Sequence, residues 1–258
     1  MSLKGRVALV TGGGRGIGAA VSQQLAAQGA AVAVAARSEK QVERVAQRLR
    51  DRGAKAVGLV ADVSDEGQVA CLVSETASRL GPVDILICNA GVATSAPLTR
   101  TSVDQWRLLM DVNAAGPFLC MREVLPGMSE RGWGRIVVVA SVAGLAGGRY
   151  IAAYAASKHA AVGLVRVAAL EHARKGVTVN AVCPGFVDTE MTEETLARIE
   201  KTTGLDREKA LASLVGDAPL GRLITPDEVA DAVLGLCGDR AGAINGQCLV
   251  VDGGELQR

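Results

Sequence analysis

Aromatic residues are scarce, with two Trp, two Tyr and two Phe in a chain of 258 residues. Histidine is as rare, at two. The core must then be built from Val, Leu, Ile and Ala, and each aromatic carries more information than usual. Six cysteines stand at 71, 88, 120, 183, 237 and 248, with no CxxC among them. That spacing, with so few histidines, argues against a zinc site and more strongly against a disulfide framework. An excess of one charge is also lacking. Lys and Arg number 28 against 27 Asp and Glu, a net charge of +1, so the basic surplus of a nucleic-acid or membrane-surface binder is absent. No apolar run reaches the ~18 residues of a spanning helix. Residues 1–6 lack the apolar segment and cleavage site of a signal peptide. The expectation is a cytoplasmic protein with reduced thiols, no metal, and neither a nucleic-acid nor a membrane partner. An apolar content of 49 % with 21 % charged residues excludes disorder, and the length allows a sizeable core.

What is present is alternation. Short runs rich in Val, Ile, Leu and Ala recur at 6–11, 30–36, 56–61, 83–88, 135–141, 177–183 and 248–251. They have no polar alternation, as expected of strands covered on both faces. Helical periods fill the gaps. Ile17, Val21 and Leu25 share one face; Val42, Val45 and Leu49 share another, after a capping box read at Ser38 and Gln41. Val69, Leu72, Val73, Thr76 and Leu80 form a third stripe, closed by Gly81-Pro82. Thr225-Pro226-Asp227-Glu228 reads as a cap, a first-turn proline and a capping glutamate. Alternating strands and helices predict an α/β fold: one domain over 1–258, a doubly wound parallel sheet of about seven strands with helices on both faces. Only 188–215 breaks the rhythm. It is charge-rich and follows a strand end, where ligands bind in such folds, so it is read as a lid, with an ordinary helical excursion as the alternative.

The first strand runs directly into Thr11-Gly12-Gly13-Gly14-Arg15-Gly16-Ile17-Gly18 and then a helix. A glycine loop there lets backbone approach a pyrophosphate, and the helix N-terminus offers N–H donors and partial positive charge. A purely structural turn is the alternative for glycines alone; the strand–loop–helix setting favours a dinucleotide.

With Thr11, Gly12, Gly16 and Gly18 come Asp62, Asn89-Ala90-Gly91, Asn113, Ser141, Tyr154 with Lys158 four residues on, Asn180, Pro184-Gly185 and Thr189. In this order and spacing the chain resembles the short-chain dehydrogenase/reductase family in its form of ~250 residues, with a Rossmann fold. Within the family it looks most like 3-oxoacyl-[acyl-carrier-protein] and 3-oxoacyl-CoA reductases. The resemblance implies that Gly12, Gly14, Arg15, Gly16, Ile17 and Gly18 cradle a nicotinamide dinucleotide. Asp62 and Val63 would meet its adenine side, Asn89, Ala90 and Gly91 would line it, and Pro184, Gly185, Val187 and Thr189 would hold its carboxamide end. It also implies a homo-oligomer, dimer or tetramer, through helices at 102–127 and 152–175 and the last strand. Cys88 stands where the family often has a second Asn, and reads as a packed thiol.

The second strand ends at Ala36, where an acid commonly holds the adenosine ribose of NAD, and Arg37 follows. Loss of that carboxylate removes repulsion toward a 2′-phosphate, and Arg37 adds a planar donor fork, a solvated start to the next helix being its alternative. By resemblance, Arg15 is a second cation placed as in NADP-preferring relatives. NADP(H) is expected in preference to NAD(H).

Of the two tyrosines, only Tyr154 has a lysine at i+4, on the same helix face. A cation beside the phenol is expected to draw its pKa down from ~10. Such a phenol can exchange a proton with a carbonyl or alcohol oxygen while hydride moves. By resemblance, Lys158 also binds the nicotinamide ribose, Ser141 orients the substrate oxygen, and Asn113 supports a water-linked proton path to Lys158. His159 and His172 are not needed. Near the site stand Leu145, Ala146, Gly147, Gly148, Met191, Leu196 and Ile199, with cations Arg149, Arg198 and Lys201. Apolar walls with cations at the mouth suit an acyl thioester. The reading is NADP(H)-preferring interconversion of a ketone and a secondary alcohol. Other scaffolds of this kind act as NAD-dependent 3-hydroxyacyl-CoA or other alcohol dehydrogenases, or as polyketide, sugar or steroid reductases. A cofactor-binding regulator or silent subunit would usually have lost Tyr or Lys; this chain keeps both.

Overall fold

The computed structural model describes residues 2–216 and 218–256. Among these residues, seven strands form one parallel sheet: β1 (Val7–Thr11), β2 (Ala31–Ala36), β3 (Ala56–Val60), β4 (Ile85–Cys88), β5 (Gly134–Val139), β6 (Val177–Pro184) and β7 (Cys248–Val251). Their order is β3-β2-β1-β4-β5-β6-β7. Each expected apolar run became a strand, because in a sheet covered twice both sets of side chains need apolar company. Alternate residues serve opposite layers. Leu9, Leu86, Ile136 and Val179 pack with Leu72, Val124, Met128 and Val165 on one face. Val10, Ile85, Ile87 and Val182 pack with Val21, Leu25, Leu49 and Val233 on the other. Each fully buried Val or Leu contributes on the order of 2 kcal/mol.

The first layer holds α3 (Glu66–Leu80), α5 (Gly116–Glu130) and α6 (Ala152–His172), with α4 (Val103–Met110) leading into α5. The second holds α1 (Gly16–Ala27), α2 (Glu39–Asp51) and α9 (Pro226–Gly235). The expected capping box at Thr225 and Glu228 has both of its bonds. The one read at Ser38 has only half. Ser38 accepts from the Gln41 backbone at 3.4 Å, but the Gln41 side chain faces a cavity instead of turning back. Between α4 and α5 the chain makes one wide turn over Asp111–Ala115, with hydrogen bonds spaced as in a π-helix.

Strand order reverses between β1 and β4, which opens a crevice above the carboxyl ends of both. Beyond β6 the chain does not cross straight to β7. It forms α7 (Glu190–Thr203) and α8 (Arg207–Val215), then returns through a parallel bridge of Val187 with Ile224 to start α9. Residues of both helices line a cavity along this edge of the sheet. Among the described residues, no helix is long and apolar enough to cross a membrane, and no cluster of His, Cys, Asp and Glu could hold a metal ion.

Candidate active site

The glycine loop closes against β4 by exclusion of side chains. A Cβ on Gly18 would lie 2.3 Å from the Gly12 carbonyl oxygen, so the start of α1 can pack here only as glycine. Gly12 has a positive φ of 62° and lies against the Ala90 backbone. Asn89 ties the two segments together: its Nδ2 donates to the carbonyls of Thr11 at 3.1 Å and Gly12 at 3.0 Å. The Thr11 hydroxyl accepts from the backbone N–H groups of Asn89 and Ala90. Arg15 caps α1 without a side-chain bond to its first N–H groups, and Arg15, Gly16 and Ile17 all line the cavity. These uncapped donors beside the cavity are what an anionic pyrophosphate requires.

That cavity measures about 1020 Å³, and Arg37, Asp62, Phe186 and Leu214 are among its walls. It is lined by Gly12, Gly14, Arg15, Gly16, Ile17, Arg37, Asp62, Val63, Asn89, Ala90, Gly91, Ser141, Tyr154, Lys158, Pro184, Gly185, Val187 and Thr189. Gly18 and Asn113 stand one layer behind. At the β2 end, Ala36 is the last strand residue, and the Arg37 guanidinium lies 4.0 Å from the Asp62 carboxylate. Hydrogen bonds from the Ser64 hydroxyl and backbone, and then Arg37, hold Asp62 below the usual carboxylate range.

Three polar side chains, Ser141, Tyr154 and Lys158, converge near the ends of β5 and β6. β5 stops at Val139, so Ser141 lies two residues past the strand, in extended backbone, and caps a tight turn over Val142–Gly144. Its hydroxyl accepts from Ala143 N–H at 3.1 Å. Tyr154, in the first turn of α6, is partly exposed to the cavity. Burial of its phenol raises the pKa, and a hydrogen bond with Ser141 lowers it by less. The expected downward pull from lysine does not prevail. The Lys158 ammonium is 5.8 Å from the Tyr154 ring centroid, and it donates instead to the Val139 carbonyl at 3.0 Å. Lys158 is buried, which lowers its pKa to about 8. Cys183 neighbours both groups, but burial pushes its thiol up to about 12, so it remains an uncharged wall.

Asn113 occupies the wide turn between α4 and α5, fully enclosed. It bonds Val92 and the Ser157 hydroxyl. A Cβ built on Gly91 would lie 3.3 Å from Asn113 Oδ1 and 3.6 Å from Lys158 Nζ, so a single glycine separates the amide from the ammonium. His159 is exposed, and His172 pairs with the Ser129 hydroxyl, both away from the site. Of the expected pocket residues, Ala146, Gly147, Gly148, Arg149, Met191, Arg198 and Ile199 line the cavity. Leu145, Leu196 and Lys201 do not; Leu196 is buried inside the packing of α7. Cys88, fully buried against Cys120, has its thiol pushed up by that contact and by burial, as a packed thiol would.

Glu190 is not among the site residues that the sequence singles out. It opens α7 and forms an ion pair with Arg15, and both line the cavity. Only one sign pointed to it, an acid in the first turn of a helix, and that does not name a partner 175 residues away.

Residues 6–200 match the family model for short chain dehydrogenase. The chain is 37 % identical over 254 residues to 3-oxoacyl-[acyl-carrier-protein] reductase FabG of Pseudomonas aeruginosa, covering 98 % of each. It is 39 % identical over 250 residues to cis-4-hydroxycyclohexanecarboxylate dehydrogenase of Sinomonas cyclohexanicum, covering 96 % of each. Among solved structures, a point variant of actinorhodin polyketide ketoreductase with NADPH superposes with a TM-score of 0.94 at 38 % identity, over 99 % of both chains.

Proposed function

The chain belongs to the short-chain dehydrogenase family and is an NAD(P)-dependent oxidoreductase, and from that premise we propose that it interconverts a ketone and a secondary alcohol with NADP(H) in preference to NAD(H). The substrate we propose is a 3-oxoacyl thioester, on acyl-carrier protein or CoA, and the direction is reduction. One observation carries this reading: the hydroxyls of Ser141 and Tyr154 and the Lys158 ammonium line the same cavity as the glycine loop.

The open donors at the start of α1 would hold the pyrophosphate, with Gly12, Gly14, Gly16 and Ile17 lining it and Gly18 allowing the close approach. Arg15 and Arg37 would take the 2′-phosphate, Asp62 and Val63 the adenine side, and Asn89, Ala90 and Gly91 the middle. Pro184, Gly185, Val187 and Thr189 would hold the carboxamide end. The nicotinamide, when bound, supplies or accepts the hydride. Ser141 would hold the substrate oxygen, and Tyr154 would give its hydroxyl proton to that oxygen as the carbonyl carbon takes the hydride and C=O becomes CH–OH. The raised phenol pKa keeps that proton in place until the oxygen gains charge. Lys158, fixed by the Val139 carbonyl, stabilises the phenolate that is left. Asn113 anchors the loop that faces Lys158. Helices α7 and α8 act as the lid over 188–215. The relatives named reductases and the apolar pocket wall support the thioester; Arg149 and Arg198 at its rim suit the carrier's phosphate. A homo-oligomer is part of the proposal, supported by exposed apolar side chains on two helices, Val103 and Trp106 of α4 and Val167 and Leu170 of α6.

The test is loss of reduced-nicotinamide absorbance with acetoacetyl-CoA, run with NADPH and NADH in parallel. Faster turnover with NADPH is expected. Faster turnover with NADH overturns the cofactor preference, and no turnover with either, while cofactor still binds, overturns the thioester.

A further inference from the structure

The two cations assigned to the 2′-phosphate differ in what already holds them. Arg37 stands 4.0 Å from an Asp62 that is itself occupied by Ser64, a loose pairing on one side of the cavity. Arg15 is paired with a carboxylate from a distant part of the chain: Glu190, the first residue of α7. The contact is double. Gly16 next to Arg15 has φ of 50°, and a Cβ there would sit 3.2 Å from the Thr189 methyl. The starts of α1 and α7 thus meet over the cavity, and Arg15, Gly16, Thr189 and Glu190 all line it.

We propose that Glu190 is a cofactor-discriminating residue that works by competing for Arg15. This rests on the assignment of Arg15 to the 2′-phosphate. NADH carries a hydroxyl at that carbon, makes no charged demand on Arg15, and leaves the pair intact. NADPH carries a phosphate with up to two negative charges. It must draw the guanidinium away from Glu190 or share its donors, and a released Glu190 then stands as a like charge near the anion. The carboxylate therefore holds NADPH affinity below what Arg15 and Arg37 would otherwise give. Its effect on the pyrophosphate is common to both cofactors and cancels in their ratio. Glu190 also belongs to α7, so the phosphate bond comes at the expense of a contact that pins the helix start. By linkage, whatever presses α7 down weakens NADPH more than NADH.

Dissociation constants of NADPH and NADH, read from the fluorescence of the reduced nicotinamide, test this without turnover. They are measured for the wild type, Glu190→Gln, Arg15→Gln and the double variant. Glu190→Gln is expected to raise the ratio Kd(NADH)/Kd(NADPH) about threefold, the scale of a half-exposed ion pair, and to leave it unchanged when Arg15 is already Gln. An unchanged ratio in Glu190→Gln overturns the proposal, and so does a shift that persists without Arg15. General damage to the fold would move both constants together and leave the ratio still, so it would count against the proposal. A wild type that binds both cofactors equally overturns the NADP(H) preference above, yet leaves the change on substitution readable.

Discussion

Asn113 grips the backbone of Val92 at both ends. Its Oδ1 accepts from Val92 N–H at 2.9 Å, and its Nδ2 donates to the Val92 carbonyl, also at 2.9 Å. The side chain thereby imitates a neighbouring strand for the loop that leaves β4. A third bond, to Ser157, joins this pair to the helix that bears Tyr154, since the Ser157 hydroxyl donates to the Tyr154 carbonyl at 2.8 Å. The wide turn over Asp111–Ala115 is what aims the amide inward. One residue thus connects the loop that leaves β4 to the helix that bears Tyr154 and Lys158.

Asn113→Ala is expected to destabilise the protein by about 2–4 kcal/mol, because partly buried backbone groups of Val92 lose their partners. In a chain of this size the melting temperature should fall by roughly 5–10 °C. Scanning calorimetry checks this; a melting point within a degree of wild type would show that the loop is held by something else.

Tyr154→Phe removes one oxygen and retains the ring. Turnover is expected to fall by about 10³-fold, within the range for loss of a positioned proton donor, with the Kd of NADPH unchanged within about twofold. Parallel rate and fluorescence titrations decide. A loss below about tenfold would point to a packing role for the phenol.

Lys158 is charged and buried, and its pKa is lowered from 10.5 to about 8. Between those values the unfolded chain binds more protons than the folded one, so stability contributed by this group rises with pH. At pH 7 both states are protonated and the burial penalty is fully present. Lys158→Met is therefore expected to be inactive yet more stable than wild type at pH 7, by about 3 kcal/mol or less. The advantage should shrink between about pH 8 and 10. Urea midpoints of both proteins across that window check the sign; an advantage that grows with pH would contradict it.

Arg37→Asp places a carboxylate beside Asp62 at the end of β2. NADPH should bind at least about tenfold more weakly, the scale of one lost charge-assisted contact plus repulsion, while NADH holds or improves. Equal losses for both cofactors would remove Arg37 from the 2′-phosphate site.

The layout was legible in the sequence wherever structure is local. Strands covered on both faces need unbroken apolar runs, so all seven could be marked, with ends displaced by one or two residues. The helix at 225 begins where its capping letters stand, because a cap is satisfied within four residues. Tyr154 and Lys158 share a face because helical period alone puts them there. Contacts between layers decided the rest. Ser38 kept its half of a capping box while Gln41 turned toward the cavity. Ser141 fell beyond its strand, because β5 stops at Val139 and the chain turns at once. Lys158 chose the Val139 carbonyl over the phenol, since burial leaves an ammonium short of acceptors and that carbonyl is within reach. The Arg15–Glu190 pair joins residues that no period relates. Composition and spacing settle which side chains share an element; only packing settles which charges from different elements meet.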